Sequence, residues 1–270
     1  MKPLILTGLA VAILLFALAP LSCAQDEKPS PSPNEKAEQI VQRALKAVGA
    51  DRYLQVKTQI GRGLFTEYRD GVSGLPIKFV DYIAYPDKER TEFTGGGART
   101  IQTNFRGGGW IYDGAALTLK DQTAQQLEEF KLVTRVTVEN LLHGWWREQG
   151  ATLSYAGRRE AAIGRRNETV RLTYADGFWI EYEFAADDGM PAKVLYQRKQ
   201  NNRDTEEVEV IKEEDRLHKL ITIDSVTAPF IIDHYRNGTQ TSRIAYETVE
   251  YNKPIADSLF AKPANIKAIK

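Results

Sequence analysis

Residues 178–184 read Phe178-Trp179-Ile180-Glu181-Tyr182-Glu183-Phe184. Phe178, Ile180, Tyr182 and Phe184 alternate with Trp179, Glu181 and Glu183, the two-residue period of a strand that turns one face to an apolar core. Asp176-Gly177 stands before the segment and Asp187-Asp188-Gly189 after it. Turn residues this close on both sides join antiparallel neighbours. Outward from this strand, residues 153, 170–174, 194–198, 208–223, 230–235 and 243–251 carry the same rhythm, with a further turn at Asn237-Gly238. Towards the N-terminus, residues 56–68, 77–85, 90–93, 100–105 and 110–112 also read as strands. Asp70-Gly71, Pro86-Asp87, Gly95-Gly96-Gly97, Gly107-Gly108-Gly109 and Asp113-Gly114 divide them. Successive strands lack the helical crossovers that parallel pairing requires.

Ile77, Phe79, Asp81, Ile83 and Tyr85 share one face of their strand, and Lys78, Val80, Tyr82 and Ala84 the other. Both faces are partly apolar, which predicts a sheet with some cover on its second side. Residues 122–149 break the β rhythm: Leu127, Phe130, Leu141, Leu142, Trp145 and Trp146 are spaced for helices. Val133, Thr134, Val136, Thr137 and Val138 are β-branched and weaken a continuous helix, so two short helices or a kinked pair are expected. Near the start, Ala37, Ile40, Val41, Ala44, Leu45 and Val48 recur at helical spacing between an Asn34 N-cap and a Gly49 stop. The fold class is α+β, a large antiparallel sheet with helices packed on one side.

The first 24 residues read as an export signal. Lys2 supplies the positive end, residues 4–19 are almost continuously apolar, Pro20 breaks the helix, and Ser22 and Ala24 place cleavage before Gln25. Cys23, the sole cysteine, offers a second outcome, lipidation of a bacterial lipoprotein; a retained membrane anchor is a third. Residues 25–36 are charged and Pro/Ser-rich and read as a disordered linker, leaving 37–270 as one domain.

The 270 residues hold 36 Lys or Arg against 36 Asp or Glu. That balance argues against nucleic-acid binding, which needs a basic excess. One cysteine excludes a disulfide framework and a thiolate metal cluster. His143, His218 and His234 are in no metal-ligand spacing. Asp233-His234 fails as an acid–base pair because neighbours on a strand point to opposite faces. The triple glycines lack the lysine and the strand-to-helix context of a phosphate loop and read as turns. The acidic run Glu206, Glu207, Glu209, Glu213, Glu214 and Asp215 reads as a solvated strand edge. No cofactor or metal is expected, and no nucleophile, acid and base converge.

Aromatic residues are the unusual resource, with 4 Trp, 12 Tyr and 10 Phe. Two readings stand: an ordinary β core, or a concave apolar surface open to a greasy ligand. Trp145 and Trp146, adjacent on a helix, point about a quarter-turn apart, so one packs on the sheet while its neighbour lines a groove.

The order of motifs carries a resemblance. A helix ends near Val48-Gly49; a strand runs through Gly61-Arg62-Gly63; Tyr85-Pro86-Asp87-Lys88-Glu89-Arg90 follows, then Gly109-Trp110-Ile111-Tyr112-Asp113, and Asp257-Ser258-Leu259-Phe260 closes the chain. This resembles the LolA-type outer-membrane lipoprotein carrier superfamily, most closely its longer lipoprotein-sorting-protein-like members. The resemblance implies an unclosed, curved antiparallel β-barrel, covered by helices on its concave side, whose interior holds lipid or lipoprotein acyl chains in the periplasm. It implies no enzyme activity, and a membrane-protein donor or acceptor as partner. The alternative is a sensor or regulatory module like the envelope-stress regulator RseB, which binds a membrane protein. Phe65, Phe79, Ile83, Trp110, Tyr112 and Phe130 are candidate lipid contacts, with Trp110 and Tyr112 on a central cavity strand. Trp145, Trp146, Phe178, Ile180, Tyr182 and Phe184 complete the set. The first helix and residues 122–149 are the lid elements, with motion expected at 133–138. Tyr85 stands where classical carriers have an arginine before the strand-ending proline, which sets this chain apart in how the cavity would close.

Overall fold

The computed structural model describes residues 32–201 and 207–269. The export signal, Cys23 and most of the linker lie outside these residues. Ser32-Pro33-Asn34-Glu35 begins helix α1 (Pro33–Val48). Ser32 Oγ accepts from the Glu35 N–H, and Glu35 Oε2 accepts from the Ser32 N–H at 2.8 Å. This reciprocal box satisfies two backbone donors that a helix start leaves unpaired. The cap is therefore Ser32 and not Asn34, and residues 33–36 belong to the helix and not to the linker. The helix buries Ala37, Val41, Ala44 and Val48 along one stripe. A single turn, α2 (Asp51–Leu54), follows and buries Tyr53.

The first limb of the sheet holds β1 (Thr58–Arg69), β2 (Val72–Ser73), β3 (Ile77–Ala84), β4 (Lys88–Gly95), β5 (Ala98–Phe105), β6 (Gly108–Asp113) and β7 (Thr118–Asp121). Helices α3 (Ala124–Val136) and α4 (Val138–Leu142) and a 3-10 turn at Trp145–Arg147 come next. Thr137 ends α3 in extended geometry, and its hydroxyl accepts from the Asn140 N–H to start α4. The β-branched run expected to weaken the helix thus divides it. The second limb is β8 (Thr152–Ala162), β9 (Arg165–Thr173), β10 (Trp179–Ala185), β11 (Pro191–Asn201), β12 (Val208–Ile223), β13 (Val226–Arg236) and β14 (Thr239–Tyr251).

All the ladders are antiparallel, in the order β7-β6-β5-β4-β3-β1-β14-β13-β12-β11-β10-β9-β8, with β2 paired to β1 alone. The first strand pairs with the last, so β1 and β14 join the limbs at the centre. The edges β7 and β8 do not pair, and the curved sheet stays open. The fold class is the one the alternation at 178–184 indicated.

One face of the sheet receives the helices. Val170 and Leu172 of β9 stand opposite Tyr182 and Ile180 of β10, and Val194 of β11 opposite Tyr182. These side chains meet α1, Tyr53, Leu141, Leu142 and Trp146 in one apolar core. The outer face of this limb is polar. Glu181 and Glu183 are buried there under Arg159, which reaches them at 2.5 and 3.2 Å, while Arg171 reaches Glu181 at 2.5 Å. The alternation in 178–184 therefore separates a core face from an ion-paired face. Glu206 of the acidic run lies outside the described residues, and Glu207 and Glu209 are exposed, but Glu213, Glu214 and Asp215 differ from the reading as an edge. β12 is an interior strand, and Glu213 pairs with Arg198 and Arg236, Asp215 with His234. Interior carboxylates persist there because a cation on a neighbouring strand faces each one.

Beyond β14 the chain crosses the outer face of the first limb. Trp110 Nε1 donates to the Phe260 carbonyl at 2.9 Å, and Arg90 donates to the Leu259 carbonyl at 2.7 Å. Trp110 is 1% exposed and Phe260 2%. The partial cover inferred from both faces of residues 77–85 is this C-terminal segment.

Candidate functional site

Ladder registers assign each side chain to a face, since neighbours along a strand alternate. On the helix-covered, concave face, Phe65 of β1 stands beside Ile77 of β3, and Gly63 beside Phe79. Across β3 and β4, Phe79 stands opposite Phe93, Asp81 opposite Thr91, and Ile83 opposite Glu89. β14 adds Ile244 and Tyr246. The rings meet edge to face: Phe65 and Phe93 at 5.5 Å, Phe79 and Tyr246 at 5.4 Å, Phe230 and Tyr246 at 6.4 Å. Phe65, Ile77, Phe93 and Ile244 keep part of their surface accessible. A pocket of about 500 Å³ lies where Phe65 and Ile77 meet the loop through Val72 and Leu75, within the roughly 300–1,000 Å³ of small-molecule sites. Leu75 is 91% exposed on its rim.

The candidate contacts divide between the faces. Phe65, Phe79 and Ile83 share the concave face of the first limb. Ile180, Tyr182 and Phe184 face the same side but are filled core, none more than 1% exposed. Phe178 precedes β10 and packs beside Arg135, 4.8 Å from its ring. Phe130 is half-buried on α3. Trp146 is buried and donates to the Leu141 carbonyl at 3.1 Å. Trp145 is half-buried and stacks on His143 at 4.5 Å, with Tyr85 6.0 Å away. Trp110 and Tyr112 stand on the other side. Trp110 pairs with Thr103 and packs beside Arg90, so both point to the outer face, on a strand second from the edge and not central. Aromatic spacing marked them but carries no information on which way a strand turns. Ile77, Phe93, Tyr85 and Tyr246 were not among the candidates; Ile77 and Tyr85 share strand parity with Phe79, which was a usable signal.

Helix α3 links the limbs. Just before it, Gln122 is buried and its Nε2 donates to the Thr103 carbonyl of β5. At its far end Arg135 pairs with Asp176, in the turn between β9 and β10, at 3.1 Å and lies 3.6 Å from the Tyr174 ring. Thirteen residues span about 20 Å, and only Val136 of them is buried. The helix thus crosses between the limbs with little apolar anchoring.

The recessed polar groups of the concave face are unusual. Thr91 Oγ1 donates to Asp81 Oδ1 at 2.9 Å and lies 3.2 Å from Glu89 Oε1. Burial pushes both carboxyls up, and the neighbouring Glu89 pushes Asp81 further. Burial also raises Glu139 of α4, beside the Tyr53 hydroxyl, and holds Tyr53, Tyr85 and Tyr246 well above the usual phenol range. No group of three or more His, Cys, Asp or Glu suited to a metal occurs among the described residues.

Lower on this face His234 Nδ1 meets Asp215 Oδ1 at 2.5 Å, while Asp233 turns to the other side and binds Arg243. Burial favours the neutral imidazole, but Asp215, with Asp233 and Glu213 nearby, outweighs it and holds the His234 pKa above its ordinary value. A raised histidine pKa gives stability that is complete below the unfolded value, about 6.5, and lost as pH rises through the folded one. Asp215→Asn should therefore cost about 1 kcal/mol at pH 5.5, and the deficit should shrink by pH 8.5, read by urea unfolding at both.

An open, curled antiparallel sheet with helices in its concavity defines the class of protein. It is the LolA-type fold. A DUF1329 family protein from Desulfovibrio piger superposes with a TM-score of 0.57 at 12% identity, over 86% of this chain and 98% of that one. A putative outer membrane lipoprotein-sorting protein domain from Vibrio parahaemolyticus gives 0.53 at 9%, over 85% and 97%. A LolA superfamily protein from Nitrosomonas europaea gives 0.53 at 11%, over 84% and 97%. No family model and no curated protein matches the sequence.

Proposed function

We propose that the protein binds lipid or lipoprotein acyl chains on its concave face and acts as a non-enzymatic carrier or chaperone in the periplasm. The observation that supports this reading is the partly accessible apolar strip of Phe65, Ile77, Phe93 and Ile244, of which Phe65 and Ile77 line the pocket under the 70–76 loop. Each buried methylene contributes about 0.8 kcal/mol, so roughly fifteen supply on the order of 10 kcal/mol before ordering costs. Affinity then needs no special chemistry, and release is the harder step. Helix α3 is the cover that opens. Hydrogen exchange should show its amides exchanging well ahead of those in β9 and β10; equal protection would contradict a moving cover.

Native mass spectrometry of protein purified from its own envelope tests the function. Co-purifying lipid supports the carrier. An empty protein that captures a membrane polypeptide supports the regulator instead.

A further inference from the structure

The acidic row on the concave face continues beyond its carboxyls. Glu89 of β4 stands opposite Asn104 of β5, and Asn104 opposite Gly109 of β6. Gly109 offers no side chain there; the Gln122 carboxamide occupies the space, its Cδ 2.8 Å from where a Cβ would sit. Asn104 is 3% exposed and Gln122 8%. Neither Asn104 Oδ1 nor Gln122 Oε1 has a hydrogen-bond partner. The Gln122 orientation is fixed, because its Nε2 already donates to the Thr103 carbonyl. Two buried carbonyl oxygens without a donor therefore lie in line with Glu89, and Asp81 stands in the adjacent row, bridged to Glu89 by the Thr91 hydroxyl. Such oxygens are costly to leave unpaired.

We infer that this cluster, Asp81, Glu89, Asn104 and Gln122 with the Tyr246 ring beside it, is a recognition site for a primary ammonium group. An ammonium carries three N–H donors and no acceptor, the complement of two carboxamide oxygens that lack donors and two carboxyls that share one hydroxyl, that of Thr91. The carboxyls support the assignment: burial is the largest cause at both, Glu89 adds repulsion at Asp81, the Thr91 hydroxyl opposes the rise at each, and no cation is among the causes. Tyr246 feels both of them, and its ring face adds cation–π attraction. A trimethylammonium could use the ring but would leave the oxygens unpaired. Asp81 lies four residues from Ile77 along β3, about 13 Å at 3.3 Å per residue. A lipid with its amine at Glu89 would thus lay its chains along Phe79 and Phe93 towards the 70–76 loop. In that form the inference rests on the lipid-binding reading, but the ammonium site itself does not.

Calorimetry on the mature chain with hexylammonium, hexyltrimethylammonium and hexanol tests the site. Hexylammonium should bind about tenfold more tightly than either of the others. Glu89→Gln, nearly isosteric, should remove that preference and leave hexanol unchanged. Equal affinities in the unaltered protein would overturn the inference without any variant. Vesicles with equal ethanolamine and choline phospholipids separate the sources. Ethanolamine lipid enriched on the protein makes the head group the source; hexylammonium preference without enrichment leaves the site to a soluble amine. Hexylammonium binding with no lipid extracted would sink the carrier reading and keep this one.

Discussion

Trp110→Ala is expected to lower the unfolding free energy by about 3–5 kcal/mol, the range for removing a buried large aromatic. The indole is 1% exposed and fills the space between Arg90, 5.5 Å from its ring, and the C-terminal segment. Its Nε1 holds the Phe260 carbonyl at 2.9 Å. Arg90, which pairs with Glu92 at 2.8 Å, holds the adjacent Leu259 carbonyl. Two side chains on the outer face thus fasten consecutive carbonyls of a segment with no regular ladder of its own. The alanine variant should therefore also release that segment, so that trypsin cuts at Lys267, which precedes Ala268, before the rest of the chain. Trp110→Phe keeps most of the packing and should lose only about 1 kcal/mol for the hydrogen bond. Urea unfolding with a proteolysis time course reads both. An alanine variant as stable as its parent would mean the segment does not dock as described.

Gly63→Ala is expected to cost about 3 kcal/mol or more, unusual for one methyl group. A Cβ there would lie 2.1 Å from the Ala245 carbonyl oxygen and 2.8 Å from Tyr246 Cα, both backbone atoms that cannot turn aside. The close approach occurs where the β1–β14 register shifts, with Arg62 opposite Thr248 and Gly63 opposite Tyr246. That ladder alone joins the two limbs, so relief of the clash must part the sheet at its centre. Gly108→Ala is the control, since its added carbon would meet nothing nearer than 3.6 Å. It should unfold within about 0.5 kcal/mol of the parent. Similar losses in both would show that the β1–β14 approach is looser than these distances.

The antiparallel sheet was legible because 178–184 alternates cleanly and Asp-Gly and Asn-Gly pairs mark the reversals. The helix break at Thr137 was legible from its β-branched neighbours. What escaped the sequence was long-range. Glu213 and Asp215 look like an exposed edge until Arg198, Arg236 and His234 on adjacent strands are known to face them. Trp110 looks like a cavity residue until the register turns it outward, and nothing local announces that the segment around Phe260 covers it. Ser32 and not Asn34 caps the first helix, and Ser-Pro-Asn-Glu carries the reciprocal capping pattern that marks it. Asp81 gave one usable hint, a carboxylate on the apolar face of Ile77, Phe79 and Ile83. Asn104 and Gln122 are ordinary polar residues until the fold buries them.

Brominated-lipid quenching of tryptophan fluorescence tests the placement of lipid most directly, because the four tryptophans occupy different surroundings. Trp145 lies on the helix-covered side beside Tyr85, Trp146 in the core, and Trp110 and Trp179 on the outer face. In variants retaining one tryptophan each, with phenylalanine at the others, lipid on the concave face should quench Trp145 strongly and leave Trp110 and Trp179 bright. Quenching of Trp110 with Trp145 unaffected would place the ligand under the C-terminal segment and contradict the account.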